Sequence, residues 1–122
     1  MAPVDLRYLI DLIEAQQPWT VSVSSLFEET LRDNLKTFPD LREKVSKFVA
    51  VKLENPLSAR YGKHDRPFTG PLVGFWHAHL RDDAIIIYNL KNRSLQLIAI
   101  VTHAEIEGKR TKSVIKKIEP FR

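Results

Sequence analysis

The sequence predicts an α+β domain in which two central helices form a hairpin and pack on a twisted antiparallel β-sheet. Two observations support this prediction. Residues 25–52 contain two helical patterns joined by a very short link, which favours an antiparallel helix hairpin. From residue 75 onward, β-rich segments alternate with turns, which is typical of a β-meander. A chain of 122 residues is long enough for one domain with a substantial core.

The N-terminal part is predicted to hold one further helix and a short strand. Residues 4–16 repeat apolar side chains at the spacing of an amphipathic helix, and Pro18 ends it. Residues 20–23 alternate in the manner of a strand. We therefore treat residues 1–19 as an N-terminal helical extension of the domain.

The two hairpin helices are each predicted from a start signal and an apolar stripe. Ser25 and Glu28 have the spacing of a capping box, which opens a helix to about residue 37. Asp40 and Glu43 repeat the signal for a helix over residues 40–52. Both helices then carry apolar side chains at helical spacing, which predicts that they share a buried face.

A long loop separates the helices from three predicted strands. Residues 54–74 are rich in proline and glycine, and ordered loops of this length are commonly functional. Strands are predicted over residues 75–80, 84–90 and 94–102. The third is almost entirely apolar, which indicates a strand covered on both faces. The basic tail, residues 109–122, has helical spacing and is read as a solvated helix face.

Charge is distributed unevenly along the chain. The formal net charge is +4. Residues 1–55 hold seven Lys/Arg and nine Asp/Glu, whereas residues 56–122 hold twelve and six, so the two parts carry −2 and +6. The second part is therefore the predicted polyanion-facing half.

Cysteine usage and hydropathy limit the classes of protein to which this chain can belong. The chain has no cysteine, which excludes disulfides and thiolate metal sites. It shows no signal-peptide pattern, and its apolar runs are too short to span a bilayer. We expect a cytoplasmic protein that does not associate with membranes.

All four histidines fall between residues 64 and 103, which concentrates proton-transfer chemistry in one segment. His64 lies in the loop, His77 and His79 on the first meander strand, and His103 at the end of the third. Histidine titrates near neutrality and can both accept and donate a proton. Metal-free RNA cleavage needs a base for the 2′-hydroxyl, an acid for the leaving oxygen, and cations for the phosphate.

Other interpretations of these residues remain open on the sequence alone. His77 and His79 share a strand face, and with His103 or Asp83 they could form a metal site. Each histidine could also serve only packing or solvation. Trp76 is equally consistent with a core residue and with a platform for a stacked base.

The motifs together resemble the YafQ branch of the RelE/ParE toxin superfamily. The resemblance runs from about residue 20 to residue 108 and is densest over residues 74–90, where a glycine–aromatic–x–x–Ala–His–x–x–x–Asp pattern precedes an Ile/Leu–Ile–Tyr strand. A second element is Thr102–His103–Ala104. Residues 63–67 resemble the family's Lys–x–His–Pro loop. The resemblance implies a RelE-like fold with an extra N-terminal helix.

The resemblance also implies the site residues. His79, Asp83 and His103 take the family's catalytic positions, and His64 takes that of the loop histidine. Phosphate and RNA contacts are then expected from a further set: Lys63, Arg66, Arg81 and Trp76. Two positions depart from the family pattern, since Ala84 replaces a bulky aromatic and Glu107 replaces an apolar residue that helps to hold the substrate base.

The activity implied is that of an mRNA interferase. Such toxins cleave messenger RNA on the ribosome without metal or other cofactor, and a cognate antitoxin neutralises them. Operator DNA would be contacted only through the antitoxin complex. Three rivals remain: a ParE-like gyrase inhibitor, a non-catalytic nucleic-acid-binding module, and a metal-dependent hydrolase using His77, His79 and His103. ParE-type toxins lack the histidine set.

Overall fold

The computed structural model describes residues 19–54, 61–62, 65–107 and 111–122. The helix predicted over residues 4–16 and the loop residues Lys63 and His64 lie outside the described residues. The secondary-structure elements follow in chain order: β1 (Thr20–Val23), α1 (Ser25–Leu35), α2 (Leu41–Glu54), β2 (Arg66–Pro67), β3 (Trp76–Arg81), β4 (Ala84–Lys91), β5 (Ser94–Val101), α3 (His103–Glu107) and α4 (Thr111–Ile118). Single 3₁₀ turns cover Gly70–Leu72 and Glu119–Phe121.

The start of α1 differs from the predicted capping box by one residue. Ser24, not Ser25, is the N-cap, and its hydroxyl accepts a hydrogen bond from the backbone N–H of Phe27 at 2.9 Å. The same hydroxyl donates to the carbonyl of Ile98 at 2.7 Å, so the cap also ties the helix to β5. Asp40 precedes α2, but its carboxylate accepts a hydrogen bond from Arg81 at 2.7 Å.

The sheet is mixed, with strand order β1-β5-β4-β3-β2. The three predicted meander strands pair antiparallel, as expected. β1 adds a parallel edge to β5, with Thr20 opposite Ser94. A parallel partner is possible here because β1 reaches β5 through the whole domain rather than through a hairpin turn. The β4–β5 turn places Asn92 and Arg93 at φ of 51° and 57°, the left-handed conformation that two-residue hairpin loops favour.

Apolar clusters cover both faces of the sheet. The α1–α2 hairpin packs on one face, where Phe27, Leu41 and Phe48 are buried against β3, β4 and β5. This arrangement confirms the α+β architecture. The other face is covered by α4, whose Val114 and Ile118 are buried.

The C-terminal segment is therefore more than the solvated basic tail that the sequence predicted. Lys112, Lys116 and Lys117 are exposed, but the apolar face of α4 closes the second core. Arg122 anchors the end of the segment: its guanidinium donates to the carbonyls of Val73 and Pro71 and lies over the ring of Phe75. Within the described ranges, no helix has the length and apolar character that crossing a bilayer requires.

Candidate active site

Asp83 and His103 form a hydrogen-bonded pair at one end of the sheet. Asp83 lies in the turn between β3 and β4, and His103 begins α3 two positions after the last residue of β5. One carboxylate oxygen of Asp83 is 2.8 Å from the backbone nitrogen of His103, which donates to it, and 3.0 Å from the ring Nδ1. These contacts, the backbone one first, hold the pKa of Asp83 below its usual range. The carboxylate is therefore ionised at neutral pH and orients the imidazole.

His79 completes the group from the neighbouring strand. Its ring meets that of His103 edge-on, with centroids 5.1 Å apart. Two imidazoles and one carboxylate thus converge from β3, the β3–β4 turn and α3, although they span 25 positions of the sequence. The structure brings together three of the four residues that the resemblance assigned to the catalytic group, and the fourth, His64, lies outside the described residues.

His77 lies two positions before His79 on the same strand but has different surroundings. Its ring stacks on Phe68, with centroids 4.1 Å apart and planes inclined by 23°. Burial, followed by the charge of Arg66, lowers the pKa of His77, so its ring is neutral at pH 7. In the described parts of the chain, no three His, Asp or Glu side chains are arranged to hold a metal ion.

The predicted RNA-contacting residues divide between the two faces. Arg66 is exposed on β2 and is paired in register with His77. Residues paired across neighbouring strands share a face of the sheet, so Arg66 lies on the face that carries His77 and His79, which we call the histidine face. Trp76 instead packs against the core beneath the helix hairpin. Arg81 also turns toward the hairpin, where it pairs with Asp40 and lies 5.4 Å from the ring centroid of Phe38. Trp76 and Arg81 are therefore not grouped with the histidines. His64 and Lys63 lie outside the described residues.

A buried polar network supports the start of β2. Asp65 is buried, and one of its carboxylate oxygens accepts hydrogen bonds from Lys52 Nζ at 3.0 Å and from the backbone N–H of Tyr61 at 2.9 Å. The other oxygen accepts a hydrogen bond from the Tyr88 hydroxyl. Since Asp65 accepts from the Tyr61 N–H and directly precedes β2, it ties Tyr61 to the start of that strand.

The sequence interpretation missed this network, although one signal was available. Lys52 lies four residues after Phe48 and eleven after Leu41, both buried, so it continues the apolar stripe of α2. A lysine at a core-facing position indicates a buried acidic partner. The partner's identity depended on the fold, since Asp65 comes 13 residues later.

Comparisons with known proteins agree with this fold. The sequence profile of a family described as the bacterial toxin of type II toxin–antitoxin systems, YafQ, matches residues 20–108. Escherichia coli YafQ in its DinJ–YafQ toxin–antitoxin complex is similar to this chain with a TM-score of 0.63 and 24% identity, over 75% of this chain and 100% of that one. Comparison with curated protein sequences found no match.

Two further solved structures share the fold. A metal-bound toxin from Helicobacter pylori is 30% identical, with a TM-score of 0.58 over 72% of this chain and 98% of its own. A YoeB/ParE toxin from Agrobacterium tumefaciens is 15% identical, with a TM-score of 0.57 over 69% and 98% of the two chains. Because the family profile spans most of the chain, this protein belongs to the YafQ family of toxins from bacterial type II toxin–antitoxin systems.

Proposed function

We propose that this protein is a ribosome-dependent endoribonuclease that cleaves messenger RNA without a metal ion and is neutralised by a cognate antitoxin. The observation that carries the proposal is the His79–Asp83–His103 group, with two imidazoles in edge contact and one of them bound to an ionised carboxylate. This set supplies the acid, the base and the orienting group that transesterification of RNA requires.

His103 is the proposed general acid. Asp83 accepts a hydrogen bond from Nδ1, which orients the ring and makes Nε2 the nitrogen that would donate the proton. In the proposed step, the bond between phosphorus and the leaving 5′-oxygen breaks, and His103 protonates that oxygen. Asp83 is a positioning residue for this step, since it orients the imidazole in the manner of the carboxylate in a catalytic triad.

His79 is the proposed general base. It takes the proton of the 2′-hydroxyl, and the oxygen attacks the adjacent phosphorus to leave a 2′,3′-cyclic phosphate. The ionised Asp83 is less suited to this role, because its lowered pKa makes it a weak base. The resemblance also assigns His64 to the catalytic group, and we keep that assignment as part of the proposal.

Cations at the rim would bind the RNA phosphates. Arg66 is exposed on the histidine face and can bind phosphate in bidentate fashion. Lys63 belongs to the same proposed set through the family motif. We do not extend the set to Arg81, whose guanidinium is held by Asp40.

The proposed partners follow from the activity and the family. Messenger RNA would be met on the ribosome, which implies that the protein acts in the cytoplasm. An antitoxin would cover the histidine face, and operator DNA would be bound only through the toxin–antitoxin complex. The +6 charge of residues 56–122 suits both RNA and an acidic antitoxin segment.

The test is cleavage of messenger RNA on purified translating ribosomes, in the presence of a chelator that spares ribosomal magnesium. Replacing a general acid or base typically reduces the rate by about 100- to 10,000-fold. We therefore expect that order of loss for both His79→Ala and His103→Ala. Glu29→Gln, an exposed change on α1, is the matched control and should retain the parent rate.

Cleavage at near the parent rate by both histidine variants would refute the assignment. A parent protein that leaves message intact but inhibits DNA gyrase in a supercoiling assay would instead indicate the ParE-like alternative.

A further inference from the structure

The positive charge of the second half of the chain is concentrated in residues 109–122. This segment holds six Lys/Arg and one Glu, a net charge of +5. Residues 56–122 together carry +6, so residues 56–108 carry only +1. The YafQ family profile ends at residue 108. The charge that suits a polyanion therefore lies almost entirely beyond the residues that match the family.

The helix of this segment, α4, has one buried face and one charged face. Val114 and Ile118 are buried in the core cluster on the histidine face of the sheet. Lys112 and Lys116 are exposed and four residues apart, so they lie on one side of the helix, about one turn from each other. Because the apolar face of α4 is packed on the sheet, the helix cannot insert that face into a lipid surface. The lysines are therefore placed to meet an anionic partner in water.

A groove of about 480 Å³ runs along the charged side of α4, and we call it the α4 groove. Lys112 and Lys116 line it, together with Ile115 and Pro120. Ile115 also lines a larger cleft on the histidine face, to which Arg66 contributes. The α4 groove is therefore continuous with the face of the sheet that carries the proposed catalytic residues.

Glu119 also lines the α4 groove but does not neutralise its lysines. Both carboxylate oxygens of Glu119 accept hydrogen bonds from the Arg122 guanidinium, at 3.0 and 3.1 Å. Among the residues that the structure describes, neither Lys112 nor Lys116 forms an ion pair or a side-chain hydrogen bond. Like charges at this helical spacing repel each other, so an anionic ligand that contacts both ammonium groups also relieves that repulsion.

We propose that the α4 groove holds the phosphate backbone of the RNA strand that occupies the catalytic group. This inference rests on the proposed ribonuclease function and extends the RNA path onto a helix outside the family match. A strand that passes Arg66 and continues beside Ile115 reaches Lys112 and Lys116 next. A lysine ammonium suits a phosphate because it is a compact charge with three donors, and such contacts add affinity without reading sequence.

The test is the salt dependence of RNA binding by the full chain, measured by fluorescence anisotropy. The probe is a labelled single-stranded RNA of about 12 nucleotides, within the site sizes of single-strand-binding domains. It is 2′-O-methylated at every position, so that no 2′-hydroxyl can attack and the RNA stays intact. Each phosphate contact on a single strand contributes about 0.7 to the slope of log K against log salt concentration.

The double variant Lys112→Gln/Lys116→Gln should lower that slope by about 1.4 and weaken binding by roughly 10- to 30-fold at about 0.1 M salt. Lys36→Gln/Lys47→Gln is the matched control, because it removes the same charge from exposed positions of the helix hairpin. The control should keep the parent slope. An unchanged slope in the α4 variant, or an equal fall in the control, would overturn the proposal.

A second arm titrates the same proteins with a labelled polyglutamate peptide. If the α4 variant loses affinity for the peptide but keeps the parent slope with RNA, the α4 groove binds an acidic protein segment and the proposal is wrong. The RNA probe cannot be cleaved and no ribosome is present. Failure of this binding test is therefore distinguishable from absence of cleavage in the ribosome assay.

Discussion

Two acid–base pairs have the same separation between their polar atoms but differ in how deeply they are buried. Lys52 and Asp65 meet at 3.0 Å beneath the helix hairpin, with both side chains fully buried. His103 and Asp83 also meet at 3.0 Å, but at one end of the sheet, where their side chains are 40% and 54% exposed. The Lys52–Asp65 pair can only stabilise the fold, whereas the Asp83–His103 pair is accessible to a substrate and can exchange protons with it.

Burial decides what each pair can do. A charge in the interior is costly unless it is paired and hydrogen-bonded, and the partners of Asp65 fulfil both conditions. An exposed pair stabilises the fold little, because water screens it. The Asp83–His103 pair is therefore free to serve chemistry, and mutations in the two pairs should affect different measurements.

The largest expected effect on stability is that of Lys52→Met. The change leaves Asp65 as an uncompensated buried charge, which typically lowers the free energy of unfolding by about 3–5 kcal/mol. Chemical denaturation measures it. Lys47→Met is the matched control, because Lys47 pairs with Glu43 at 3.7 Å on the same helix with both side chains well exposed, and its effect should stay within about 0.5 kcal/mol.

A double variant sharpens this prediction. Asp65→Asn in the Lys52→Met background removes the stranded charge, while the amide oxygen can still accept from Tyr88. The double variant should therefore be more stable than Lys52→Met alone. If the two single effects simply add, the side chains are not coupled and the buried-pair interpretation is wrong.

The second prediction concerns the exposed pair. Asp83→Asn should change the free energy of unfolding by less than about 0.5 kcal/mol. Its cleavage rate should fall by less than about 100-fold, which is the smallest loss expected when the general acid itself is removed. Asp82→Asn, in the same turn, is the control.

The pH dependence of this pair has a defined sign. Because the pKa of Asp83 is lowered by its contacts with His103, the carboxylate stays ionised until the pH falls below the usual range for aspartate. Any stability that the pair contributes is present at neutral pH and lost only in stronger acid. Loss of more than 1 kcal/mol in Asp83→Asn at pH 7 would contradict the surface assignment.

The third prediction tests the cap of α1. Ser24→Ala removes the acceptor for the N–H of Phe27 and the donor to Ile98, and typical N-cap replacements cost about 0.5–2 kcal/mol. Ser25→Ala, one residue inside the helix, should be nearly neutral. Denaturation curves of the two variants measure this difference. If Ser25→Ala is the more destabilising change, Ser25 is the N-cap, as the capping box in the sequence predicted.

Local patterns predicted the elements, and long-range contacts decided their details. The three meander strands and the helix hairpin follow from hydrophobic periodicity, which the fold preserves. Ser24 was missed because its second partner, Ile98, lies 74 positions away and is adjacent only in the folded protein. The basic residues of 109–122 suggested a solvated face, while the buried faces of Val114 and Ile118 show that the same segment closes a core.

The site was predictable to the extent that strand geometry controls it. His79 and Asp83 flank one turn, and antiparallel pairing brings the end of β5, and with it His103, to that turn. The orientation of Trp76 was not predictable in the same way, because alternation leaves open which face of β3 is the histidine face. The bulge between His79 and Arg81 further prevents extrapolation to Arg81.

The smallest predicted effect concerns His77. Its pKa is lowered chiefly by burial, then by the charges of Arg66 and His79, with Asp65 and the backbone of Arg66 acting in the opposite direction. As the pH falls below the ordinary histidine range, the unfolded chain therefore takes up this proton before the folded protein does. Stability is then lost with falling pH, and it returns as the pH rises. His77→Phe keeps a ring against Phe68 but removes this titration, so its free energy of unfolding should depend less on pH across the mildly acidic range. If the free energy of unfolding depends on pH in the same way in the parent and the variant, the prediction is wrong and His77 is as hydrated as a surface side chain.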